Sequence, residues 1–144
     1  MTISPIPLAA KQASDVHLNL THTHYEAASL AHSLHKLLAP DSRPDLAETR
    51  KSAIRLGIAL EGVAEAERAC GPCLEQDHAS QQYEQMLQQH RLGYLAFERL
   101  STDLEDTLTL HWSDAASLAA EIGHHLDSAE RAHQASLCGP KSGT

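Results

Sequence analysis

Apolar residues recur along most of this chain at alternating spacings of four and three, the period of an amphipathic α-helix. In the first such stretch Val16, Leu20, Thr23, Ala27, Leu30, Leu34 and Leu37 form one stripe. The spacing predicts a helix that begins at Ser14 or Asp15, either of which can cap it, and ends before Pro40. Val16 to Leu20 also alternates like a strand, so the first turn reads both ways. Asp45 followed by Glu48 has the form of a capping box. It opens a second stripe of Leu46, Thr49, Ala53, Leu56, Leu60, Val63 and Cys70, with a polar step at Glu67. Gly71 suits a left-handed cap and Pro72 cannot continue a helix, so the pair ends this element.

A third helix is expected from Leu74–Asp77 to about Asp106, with Tyr83, Leu87, His90, Tyr94, Phe97, Leu104 and Leu108 on one face and Met86 and Leu100 beside them. Ser113-Asp114 suggests a new start, although neither Gly nor Pro enforces a break there. The fourth stripe is Ala115, Leu118, Ala119, Ile122, Leu126, Ala129, His133 and Leu137, closed by Gly139 and Pro140. Four such segments on short connectors favour an all-α, antiparallel up-down-up-down four-helix bundle over residues 14–138. A three-helix arrangement, with the last two segments continuous, is the rival. Residues 1–13, with Pro5 and Pro7, and residues 139–144 read as flexible tails.

Composition agrees with this reading. The chain is 42% hydrophobic with one Phe, one Trp and three Tyr, a poor mix for sheet. Its 144 residues suffice to bury a core without disulfides or metal. A net charge of −8 argues against nucleic-acid binding, which needs clustered Lys and Arg, and suits a basic protein partner. Neither a secretory leader nor a membrane-spanning run is visible, and three cysteines read as reduced thiols, so a cytoplasmic location is expected.

Cys70-Gly71-Pro72-Cys73 resembles the thioredoxin redox tetrapeptide, in which the first thiolate is stabilised at a helix N-terminus. Here the motif follows a helix, where the dipole disfavours a thiolate. Cys138-Gly139-Pro140 repeats the pattern at another helix end. A structural stop is the simpler account, with redox chemistry at Cys70 and Cys73 as a weak alternative. Half a zinc site is a further option, completed by Cys138, His78 or His133.

Eleven histidines are the most unusual compositional feature. Several lie three or four residues from an acid, as in Glu121/His124 and Glu130/His133, and the Glu-x-x-His spacing resembles that of ferritin-like di-iron bundles. Chance accounts for about as many such pairs, and His124 points away from its helix's apolar stripe. Only Glu130/His133 puts its imidazole on the apolar face. His90 and His133 each sit within a stripe, so both are expected inside, either as core histidines with hydrogen-bonded partners or, with Glu130, as metal ligands. His17, His24 and His35 are too widely spaced for one ion and read as a solvated or interface edge.

No nucleophile–base set or phosphate loop can be assembled, and an enzyme is not expected. Ile54 and Ile58 lie off the second helix's stripe, and Leu92, Leu95 and Leu110 off the third's. They are either a wider buried face or a partner surface. The leading expectation is therefore a non-enzymatic interaction module of adaptor, inhibitor, immunity or chaperone type. It binds a protein partner through Ile54, Ile58, Leu92, Leu95 and Leu110, forms a homodimer and needs no cofactor. It meets neither nucleic acid nor membrane. The alternative is a histidine-rich metal-binding bundle of di-iron or zinc type.

Overall fold

The structure, a computed structural model, describes residues 8–39, 45–70, 77–106 and 110–138. They form four helices: α1 (Leu8–Leu37), α2 (Leu46–Cys70), α3 (Asp77–Glu105) and α4 (Trp112–Cys138). The main packed pairs are α1 with α2, α3 with α4, and α1 with α4, as in an up-down-up-down bundle. α2 and α3 meet along little of their length. The last two helices are separate elements, and Asp114 N–H and Ala115 N–H each donate to the His111 carbonyl at 3.1 Å in the first turn of α4.

α1 begins six residues before the expected cap. Leu8-Ala9-Ala10-Lys11-Gln12-Ala13 are all good helix formers, and intrinsic propensity extends the helix where no apolar period signals it. Asp45 caps α2 as expected, its Oδ1 accepting from Ala47 N–H at 3.0 Å. The stop assigned to Gly71-Pro72, the 139–144 tail, and Cys73 lie outside the described residues.

The bundle interior divides into two parts. Its larger part is apolar, built by Leu34, Leu38, Leu56, Leu60, Leu100, Leu104 and Ile122, with Ala27 and Ala31 of α1 and Ala115 and Ala119 of α4 as small residues. The other part holds Leu20, Ala66, Cys70, Met86, Ala129 and Ala132 around a group of buried polar side chains. Topology places that group. In an up-down-up-down bundle the first half of α1, the end of α2, the first half of α3 and the end of α4 share one end of the molecule.

The stripe on α2 is as expected. On α1 the buried line is instead Leu20, His24, Ala27, Ala31 and Leu34, continued by Leu38 in the turn that follows, so His24 and not Thr23 faces inward. On α3 the buried line is Met86, His90, Ala96, Leu100 and Leu104, with Tyr83, Tyr94 and Phe97 half-buried beside it. Leu137 is largely exposed, and Leu110 packs against the core instead of pointing away from it.

Candidate metal centre

Seven side chains from all four helices form a continuous polar chain through the bundle end: Glu67, His90, His24, Glu130, His133, His17 and Cys70. Three of its imidazoles are essentially inaccessible, with His24 and His90 at 1% exposure and His133 at 0%. Buried polar groups persist only when partnered, and each of these is.

Glu130 is the hub. Its Oε1 accepts from His24 Nδ1 at 2.8 Å and from His133 Nδ1 at 3.2 Å. Its Oε2 accepts from the Thr21 hydroxyl at 3.0 Å and from Gln134 Nε2 at 2.6 Å. Burial alone raises this carboxyl, but the bonds from His133, His24, Gln134 and Thr21 outweigh it and hold the group well below the ordinary carboxylate range. An ionised carboxylate only accepts, so both Nδ1 atoms carry protons and each ring's Nε2 carries the lone pair. Four donors fill the acceptor capacity of Glu130, which makes it an orienting group for two imidazoles.

The His133 Nε2 lone pair faces His17 Nδ1 at 2.9 Å, and that atom lies 3.2 Å from Cys70 Sγ. One donor atom from each of His17, Cys70 and His133 lies within 4.8 Å of the other two. The His17 imidazole is lowered from its ordinary value by burial and by His133, which favours its neutral, ligating form. One donor atom each from His24, Glu130 and His133 forms a second such group. Its members are already joined by the hydrogen bonds to Glu130.

At the other end of the chain, His90 Nδ1 donates to Glu67 Oε1 at 2.6 Å, and His90 Nε2 faces His24 Nε2 at 2.7 Å. Tyr83 Oη donates to the Glu67 carbonyl at 3.2 Å, tying α3 to the same turn of α2.

Of the residues singled out in the sequence, His90, His133 and Glu130 all lie inside. His90 and His133 meet only through His24 and Glu130. Cys70 is buried at the His17 end. His24 does not lie on a solvated edge: it is the residue that joins the two inward histidines. Its signal was present in the sequence, because it stands four residues after Leu20 and three before Ala27, on a stripe of the right period. Glu67 also went unassigned, although it occupies a stripe position of α2. His35 is exposed, as expected, and its Nδ1 donates to the Ala116 carbonyl at 3.0 Å.

The expected partner residues behave differently from this cluster. Ile54 and Ile58 are each 63% exposed and Leu95 57%, while Leu92 is at the margin of exposure. With Tyr94 and Phe97, the two isoleucines line a groove of about 520 Å³ between α2 and α3. No helix among the described residues is long and apolar enough to cross a membrane. No family model matches the chain, and neither a curated protein nor a solved structure shows significant similarity to it.

Proposed function

We propose that this protein is a metal-binding helical bundle whose ion is held by His17, Cys70 and His133. The observation that carries the reading is the convergence of these three donor atoms, from three different helices, within 4.8 Å in the bundle interior. Two imidazoles and a thiolate suit Zn²⁺, Co²⁺ or copper, whereas Ca²⁺ and Mg²⁺ seek oxygen. Three protein ligands leave a fourth position for water or a small ligand. Glu130 supplies the second feature of such sites, a carboxylate that fixes the ring orientation of a ligating histidine.

Zinc fits better than the di-iron type. Di-iron bundles direct several carboxylates at the metals. Here Glu67 and Glu130 accept hydrogen bonds from imidazoles, and the remaining donors are nitrogen and sulfur.

Elemental analysis of tag-free protein, dialysed against a weak chelator, tests the reading. About one equivalent or more of zinc, copper or cobalt is expected, with loss of one equivalent in Cys70→Ser and in His133→Ala. Protein that retains no metal, or variants that retain it in full, would remove the proposal.

A second reading, a homodimer joined through the α2/α3 groove, is favoured by the exposed Ile54 and Ile58 beside Tyr94 and Phe97. Sedimentation measures it directly. A dimer that Ile54→Asp and Ile58→Asp dissociate supports it, and a monomer at high concentration excludes it.

A further inference from the structure

His24 and His90 face each other in a way that hydrogen bonding between two neutral rings does not account for. Each ring has its Nδ1 against a carboxylate, His24 on Glu130 at 2.8 Å and His90 on Glu67 at 2.6 Å. Each Nδ1 must therefore donate, and a neutral imidazole has only one proton to give. Both Nε2 atoms are left with lone pairs, yet they stand 2.7 Å apart with their rings 1% exposed. Two lone pairs at that distance repel unless a cation lies between them.

We infer that the facing Nε2 atoms of His24 and His90 form a second transition-metal position, separate from the His17/Cys70/His133 centre. The inference rests on reading the bundle as a metal-binding protein, but it uses different donor atoms. A carboxylate behind each ring is the arrangement that raises the basicity of ligating histidines and fixes their tautomer. Two carboxylates so placed also offset the charge of a dication in a buried site. Imidazole donors select Zn²⁺, Co²⁺ or copper over oxygen-seeking ions. The bound ion draws the two rings apart, since each metal–nitrogen bond is about 2.0–2.1 Å long.

A proton shared between the two rings is the competing bridge, which metal titration distinguishes from an ion, and two neighbouring features lie beside the pair. A cavity of about 220 Å³ lined by His24, Tyr25, Leu126, Asp127, Glu130 and Arg131 opens beside the His24/Glu130 pair. Tyr94, one turn after His90 with its ring 6.1 Å away, carries the one buried side-chain polar atom without a hydrogen-bond partner among the described residues.

Titration of metal-free protein with Co²⁺, followed by optical absorption and calorimetry, separates the two positions. The wild type should take up two equivalents, only one of which produces a thiolate-to-cobalt charge-transfer band. Cys70→Ser should lose that band and keep the other equivalent. His90→Gln should do the reverse. Glu67→Gln, the milder change should His90→Gln fail to fold by circular dichroism, should weaken only the band-free equivalent by about 10–100-fold. Saturation of the wild type at one thiolate-linked equivalent would overturn this inference and leave the first centre standing. So would a second equivalent that neither His90→Gln nor Glu67→Gln affects. A single band-free equivalent, lost in His90→Gln, would keep the inference and remove the Cys70 centre. No uptake at all removes both.

Discussion

Glu130 carries four hydrogen bonds on two oxygens, and replacing one oxygen by an amide nitrogen sets a donor against donors. Glu130→Gln is therefore expected to destabilise the fold by about 1–3 kcal/mol, the cost of unsatisfied buried groups. It should also weaken metal binding by about 10–100-fold by releasing His133. Urea unfolding and a chelator competition measure the two effects, and an unchanged midpoint with unchanged affinity would contradict the hub role. The same residues make stability depend on pH. His24 and His17 are lowered below 6.5 in the fold, so as pH falls the unfolded chain takes up these protons first. Their contribution is fully present above about 6.5 and is lost as pH falls towards the folded values. Glu130, held below the ordinary range, contributes above about 4.3 and loses that contribution as pH falls further. The urea midpoint of metal-free protein should thus decline continuously from about pH 7 to pH 4. A midpoint that is flat or rises on acidification would show that these groups do not govern stability.

Each helix divides its residues between the apolar core and the polar chain, and substitutions should separate the two. Leu56 and Ile122 are fully buried in the apolar part, so Leu56→Ala and Ile122→Ala should each cost about 2–5 kcal/mol in chemical unfolding. Ile54→Ala, at an exposed position of the same α2, should change stability by less than about 0.5 kcal/mol. A large loss at Ile54 would mean that a second chain covers it. α2 and α3 are held at the two ends of their groove by polar contacts. Arg50 donates to the Leu104 carbonyl from Nε at 3.1 Å and Nη2 at 2.9 Å, and Tyr83 and His90 bond Glu67. Element identity was legible because the apolar period is long and two of its three breaks carry Pro or Gly, whereas the break between α3 and α4 carries neither. Which face points inward was less so on α1 and α3. There the stripes run through His24 and His90, and Thr23 on one helix and the aromatic residues on the other suggest a line rotated by about one position.

For the whole molecule, ligand linkage supplies a direct check. An ion that binds only the folded chain stabilises it in proportion to the logarithm of its concentration, about 2.7 kcal/mol at a hundredfold excess over Kd. The thermal midpoint should therefore rise with added Zn²⁺, fall with chelator and cease to respond in a Cys70→Ser/His90→Gln double variant. A response to Zn²⁺ that survives in that variant would place the ion elsewhere. The all-α class, four helices, their antiparallel order and the inward placement of His90, His133 and Cys70 could all be derived from the sequence, because they depend on local periodicity and short connectors. The polar chain could not. It requires His17 and Cys70 to approach across 53 positions, and His24 and Glu130 across 106. Those contacts depend on the rotation of each helix about its own axis, which packing against its neighbours decides. His17 and His24 are also two turns apart on one helix, about 10.5 Å along its axis. Read along the chain, that spacing separates them as ligands of one ion. Only the bundle gives each its own partners, Cys70 and His133 for the one, His90 and Glu130 for the other.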